Sequence, residues 1–366
     1  MNKQLSIFLI SLATIPFTNS ILPMKKLKPI ATLKLDDTSS DIALGKNCLL
    51  FLSNGNIKVL KLDDEKIKKI SEIEYESKAP KKFKFNYKAN KIAYINADLA
   101  IFPFNIPNLE TYKKINLIYR KSIISAFDWH PKKDIFAIML GLKNKKRKSF
   151  EIYEYIFNKQ KNTFEPLKKI TFTTETSQFP HSMHYSSNGK YMACALGSSP
   201  YYPNRLIILN LVNEKKRLSY YTKKIKCKFI CIKTIPNKNA FIIIEDFKNE
   251  YLVNLIYINN KKIEKKILKT KKQIKDLDIS PGGKTIAIAF KNKIKLLVNS
   301  DYKKIIENDH QIEKIKFTKN GKYLIALTKN QKNSYLKIWK NPFYNEASSI
   351  RKEDLLKRIQ YVLELE

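Results

Sequence analysis

"IKDLDISPGGKTIAIAF" (274–290) decides the fold, because the chain repeats it. Alternating apolar residues lead into a polar turn at Ser280-Pro281-Gly282-Gly283-Lys284, and an apolar run follows. Two strands around a tight hairpin satisfy that pattern. "IEKIKFTKNGKYLIALT" (312–328), "PHSMHYSSNGKYMACAL" (180–196) and "ISAFDWHPKKDIFAIML" (124–140) match it position by position. Looser copies are "PKKFKFNYKANKIAYIN" (80–96), "FICIKTIPNKNAFIII" (229–244) and "SSDIALGKNCLLFL" (39–52). The turn residue aligned with Gly282 falls at 45, 88, 132, 188, 237, 282 and 320, with spacings of 43, 44, 56, 49, 45 and 38.

A strand-rich period near 45 residues is the length of a four-stranded propeller blade. After each hairpin come two further apolar runs, such as "NRLIILNL" (204–211) and "KRLSYYT" (216–222), which supply the third and fourth strands. The expectation is an all-β, seven-bladed β-propeller of four-stranded antiparallel blades over residues 28–345. Ring closure removes exposed sheet edges. "KPIATLKLDD" (28–37) precedes the first hairpin and has no blade of its own, so it is expected to complete the last blade beside "NSYLKIWK" (333–340). The turns at 186–190, 280–284 and 318–322, together with "LKIWK" (336–340), resemble those of the WD40 family of β-propellers. Lys340 stands where that family carries Asp, and no Gly-His signature is present. TolB-like periplasmic propellers are the near alternative. The resemblance implies partner binding on the face built from the connections between blades and between second and third strands.

"FDWHPKKD" (127–134) looks at first like chemistry, with Asp128, His130 and Asp134 beside Trp129. In the aligned frame these residues fill ordinary repeat positions. Asp128 falls with His184, Asp278 and Lys316, Trp129 with Tyr185, Ile279 and Phe317, and Asp134 with Lys190, Lys284 and Lys322. A metal or acid–base site needs ligands that converge, so the octet is read as one turn of a repeated wall. His181 and His184, three apart on a strand, are expected on opposite faces. No GxSxG, Walker, HExxH or zinc-type spacing occurs, and neither a cofactor nor a metal is expected.

The 366 residues include 70 basic and 33 acidic side chains, formally +37. Six of the basic residues are Arg and 64 are Lys, spread along the chain. Two explanations stand: compositional drift, since Lys, Ile and Asn are all abundant, or a polyanion-binding surface. Cys227 and Cys231 have CxxxC spacing, which on a strand separates them by about 13 Å, beyond the reach of a disulfide at about 7 Å. They and Cys48 and Cys194 are read as small core residues, with a distant pairing of Cys48 or Cys194 open in an exported protein. Residues 1–20 read as a secretory signal peptide, with Thr18 and Ser20 before the cleavage point. Export is the expectation, cytoplasmic location the alternative, and no membrane span is expected in the mature chain. Residues 348–366 read as a helix capped by Ser349, with Leu355, Leu356, Ile359, Val362 and Leu363 in one stripe.

Two neighbouring blades have expanded connections between their second and third strands. One offers Lys143, Lys145, Lys146, Arg147 and Lys148; the other offers Tyr201, Tyr202, Asn204 and Arg205. A basic loop beside paired aromatics suits an acidic protein segment, a phosphorylated or glycan ligand, or single-stranded nucleic acid. The functional reading is a non-enzymatic scaffold for another protein. Its rivals are a cytoplasmic RNA- or ribonucleoprotein-binding propeller, and a propeller hydrolase whose channel would draw on His181 and Asp276.

Overall fold

The computed structural model describes residues 27–344 except 36–41, 46–47, 54–55, 64–65, 74–81, 89–90, 96–98, 104–121, 143–147, 159, 162, 175–178, 198–204, 213–216, 222–227, 248–249, 260–261, 284 and 299–301. The expected signal peptide (1–20) and C-terminal helix (348–366) lie outside these residues. All regular structure among the described residues is β-strand, arranged in antiparallel sheets.

The strands group in chain order. Sheet 1 holds Ile42–Leu44, Cys48–Ser53, Asn56–Asp63 and Lys66–Ile73. Sheet 2 holds Lys82–Phe85, Lys91–Ile95 and Leu99–Pro103; its expected fourth strand would fall outside the described residues. Sheet 3 holds Ser122–Trp129, Ile135–Leu142, Lys148–Asn158 and Thr163–Thr174. Sheet 4 holds Phe179–Tyr185, Tyr191–Gly197, Arg205–Asn210 and Arg217–Tyr221. Sheet 5 holds Lys228–Thr234, Ala240–Phe247, Glu250–Asn259 and Lys262–Thr270. Sheet 6 holds Asp276–Ile279, Ile286–Ala289, Lys293–Val298 and Tyr302–Glu307. Sheet 7 holds Gln311–Phe317, Tyr323–Lys329 and Ser334–Lys340, and its outer strand is Ala31–Leu35 from the start of the chain. That strand pairs antiparallel with Ser334–Lys340, Leu33 opposite Leu336, as the leftover N-terminal segment requires.

Core lies between sheets rather than inside one of them. Met139 and Ile152 of sheet 3 pack with Met183, Cys194 and Ile207 of sheet 4. Ile242 and Val253 of sheet 5 meet Leu277 and Ile288 of sheet 6. Leu44 and Leu60 of sheet 1 meet Ile325 and Leu336 of sheet 7, so the last sheet packs on the first. Second strands are covered on both faces, which is why Ile286–Ala289 and Tyr191–Gly197 read as unbroken apolar runs. Each fully buried Leu or Ile contributes roughly 1.5–3 kcal/mol, so these interfaces hold the sheets together.

The hairpins repeat in atomic detail. Ser186 Oγ, Ser280 Oγ and Thr318 Oγ1 accept from the amides of Tyr191 (3.0 Å), Thr285 (2.9 Å) and Tyr323 (3.0 Å). Gly189, Gly283 and Gly321 take positive φ of 73°, 70° and 77° in these turns, where a Cβ would be strained. The glycine-free turn of sheet 5 moves the positive φ one place earlier, to Asn237 (59°), a residue type that tolerates it.

The first strands also share a bulge. Sheets 3, 4, 5 and 7 each carry one extra residue, at Ser125, His181, Ile230 and Glu313. Each extra residue stands seven positions before the turn residue of its own hairpin. A bulge breaks strand alternation, so the opposite-face relation expected of His181 and His184 does not follow from their spacing.

Candidate functional site

A pattern recurs among the residues of the first strands. In sheets 2, 3, 5, 6 and 7 the residue four places before the turn residue reaches toward the following sheet, whereas His184 of sheet 4 lies 4.0 Å from Asp128 of the preceding one; the next residue reaches back in sheets 3 and 5. Lys84 Nζ of sheet 2 lies 2.9 Å from Asp128 Oδ1 of sheet 3. Asp128 Oδ2 accepts from the Tyr185 amide of sheet 4 at 2.9 Å. Lys233 Nζ of sheet 5 approaches Asp278 Oδ1 of sheet 6 at 3.4 Å. Asp278 Oδ2 accepts from the Phe317 amide of sheet 7 at 2.7 Å, and Lys316 Nζ of sheet 7 donates to the Ile42 carbonyl of sheet 1. Backward contacts are Trp129 Nε1 to the Lys84 carbonyl (3.1 Å) and Thr234 Oγ1 to the Tyr185 carbonyl (2.5 Å).

Placed in this frame, "FDWHPKKD" joins three sheets. Asp128 and Trp129 bond as above. Asp134 Oδ1 accepts from Asn86 Nδ2 at 2.9 Å, and its other oxygen lies 3.4 Å from Lys91 Nζ. His130 Nδ1 accepts from the Lys132 amide (3.1 Å), and its ring meets Tyr185 edge-on at 5.3 Å between centroids. Burial, and then Lys133 and Lys132, push the His130 pKa down to about 4, so the ring is neutral at physiological pH.

Other buried titratable groups are also engaged. Asp276 Oδ2 accepts from the Ile315 amide at 3.0 Å and its Oδ1 lies 3.5 Å from Lys233 Nζ. Burial opposes charge on Lys233, but Asp276 and Asp278 outweigh it and raise the ammonium above its usual range. Burial raises the Asp278 carboxyl, with Lys233 opposing. Burial pushes Cys231 up to about 12 and Cys194 higher, so both stay protonated thiols; both are free. Among the described residues no group of three His, Cys, Asp or Glu is placed to hold a metal ion, and no helix is long and apolar enough to cross a membrane.

A concavity opens at the hairpin end of the axis, with a volume of about 580 Å³. Hairpins of sheets 2, 3, 6 and 7 meet there. Its lining includes Phe85, Tyr87, Trp129, Pro131 and Pro281, with Lys88 and Lys319 beside them. Lys319 Nζ crosses from sheet 7 to donate to the Asn86 carbonyl of sheet 2. Sequence reasoning passed over these residues. The signal available was a lysine at or next to the turn residue, as at Lys88 and Lys319.

Two of the residues singled out from the sequence, Lys148 and Arg205, sit at the other end of the sheets. Lys148 opens Lys148–Asn158 of sheet 3, opposite Thr174. Arg205 opens Arg205–Asn210 of sheet 4, between Leu196 and Tyr221. Lys143, Lys145, Lys146, Arg147, Tyr201, Tyr202 and Asn204 lie outside the described residues, as does the side chain of His181.

No family model matches the chain, and no curated protein matches it. Among solved structures, the β-propeller domain of Cps50 (Swd1) from Myceliophteria thermophila matches 85% of this chain and 100% of that domain, with a TM-score of 0.58 and 10% sequence identity. At that identity the likeness speaks to architecture alone: the chain folds as a β-propeller.

Proposed function

We propose that the seven sheets are the blades of one propeller, and that the protein is an exported, non-enzymatic scaffold that binds an acidic segment of another protein. The binding surface in this reading comprises Lys143, Lys145, Lys146, Arg147 and Lys148 of the third blade with Tyr201, Tyr202, Asn204 and Arg205 of the fourth. One observation carries the scaffold reading. The carboxylates of Asp128, Asp276 and Asp278 are each committed to a backbone amide of the next sheet, so the axis spends its charges on joining blades. Propellers generally serve as rigid platforms whose loops meet partners. The two expanded connections belong to sheets that share one apolar core, which supports their acting as a pair.

The test has two parts. Mass spectrometry of the native protein should find a mature N-terminus just after Ser20. Capture of partners should fail for Lys145→Gln/Lys146→Gln/Arg147→Gln at both low and physiological salt, while the wild type keeps its partner at both. Retention of every partner by that variant would refute the loop reading. An intact Met1 with RNA as the captured molecule, lost steeply as salt rises, would replace the reading with a cytoplasmic RNA-binding propeller.

A further inference from the structure

At the hairpin end of the ring, the concavity of about 580 Å³ is lined by the apolar Phe85, Trp129, Pro131 and Pro281 with Tyr87, and by Asp128 and His130 among its polar residues. That volume falls within the range of small-ligand pockets and accommodates one or two side chains of a peptide. Lysines lie at its edge: Lys88 and Lys319 line it, and the exposed Lys132 and Lys133 follow the lining Pro131 on the hairpin of sheet 3. Two carboxylates lie close by, and both are already answered. Asp128 is paired with Lys84 at 2.9 Å, and Asp134 lies 3.4 Å from Lys91. Lysines therefore outnumber unanswered carboxylates along this edge, Asp128 of the lining being paired with Lys84.

We infer that this hairpin face is a second interaction surface, specific for an acidic peptide segment that carries an aromatic or large apolar side chain. The side chain enters the floor, and flanking carboxylates pair with Lys88, Lys132 and Lys133. Several features favour a peptide over nucleic acid. Trp129 and Phe85 are 6% and 8% exposed, so they offer edges rather than the open ring faces on which bases stack. The rim residues are lysines, point charges that suit spaced carboxylates; the forked Arg that reads bases and grips phosphate is missing from those named. The inference is independent of the loop reading on the third and fourth blades, whose described members Lys148 and Arg205 begin strands at the other end of their sheets.

The probe is a fluorescein-labelled nonapeptide with four Asp or Glu residues on each side of a central Phe, read by fluorescence anisotropy. Lys88→Gln/Lys132→Gln/Lys133→Gln removes the rim. Lys271→Gln/Lys291→Gln/Lys332→Gln removes the same charge from exposed lysines away from these hairpins and serves as the control. All three proteins are first shown to unfold at similar temperatures. The rim variant should bind the probe about tenfold more weakly than wild type, and the control variant within about twofold. A central Gly in place of Phe should also weaken binding to wild type about tenfold. Equal losses in the two variants, indifference to the central residue, or no measurable binding would overturn the inference. So would tighter binding of a single-stranded oligonucleotide of equal charge. Failure of the loop reading would leave these results untouched, because neither variant alters residues 143–148 or 201–205.

Discussion

Gly189 shows how much one residue carries. Its φ of 73° suits a residue without Cβ, and a Cβ there would lie 1.9 Å from His130 Nε2 on the neighbouring sheet. Gly283 has nearly the same φ, 70°, but its nearest neighbour would be the Pro236 carbonyl oxygen at 4.0 Å. The pair separates backbone strain from steric overlap. Gly283→Ala should cost about 1 kcal/mol, and Gly189→Ala about 3 kcal/mol, because the His130 ring must also move. Urea unfolding of both variants checks this, and adding His130→Ala to Gly189→Ala should recover most of the difference. Equal costs would mean the ring yields freely. The sequence marks both glycines as turn residues through "SSNGK" and "SPGGK". It marks His130 only as the start of a turn, since nothing local says that a ring from one hairpin fills the gap above the glycine of the next.

At the scale of the element, the first strand is the part that joins blades. Asp278 accepts from the Phe317 amide and faces Lys233, which also faces Asp276. Asp278→Ala leaves a buried amide without its acceptor and removes one of two counter-charges from Lys233. We expect a loss of about 3 kcal/mol. Asp278→Asn keeps an acceptor oxygen and should lose about half as much. Chemical denaturation gives both values, and a cost under about 0.5 kcal/mol for the alanine variant would show that the bond to Phe317 carries no stability. The apolar alternation of these strands was legible, and so was the frame that aligns Asp128 with Asp278. The shared bulge at Ser125, His181, Ile230 and Glu313 was not, because an inserted residue leaves no mark on composition and shows only as a slip against the paired strand.

Across the whole molecule, stability depends on joining the two ends of the chain. Ala31–Leu35 is the outer strand of the sheet that ends at Lys340, and Leu35 is buried there. Chains starting at residue 21 and at residue 36 should differ by about 3–5 kcal/mol, from the burial of Leu33 and Leu35 and the lost ladder. The shorter chain should also self-associate through its bared edge. Thermal melts and size-exclusion chromatography over a range of concentrations test both effects; equal stability would mean that the ring closes without this strand. By itself the sequence determined the repeated hairpin, its spacing, the strand order within each unit and the need for a chain end to complete the last one. These follow from local turn chemistry and period-two patterning, which are properties of neighbours along the chain. Tertiary structure alone decided that the acidic residues of the octet are spent on the adjoining sheets. It alone decided that Lys88 and Lys319, from the hairpins of sheets 2 and 7, meet at one concavity at one end of the axis. Both facts concern residues some 40 or more positions apart, and only closing the sheets on one another brings such residues within bonding distance.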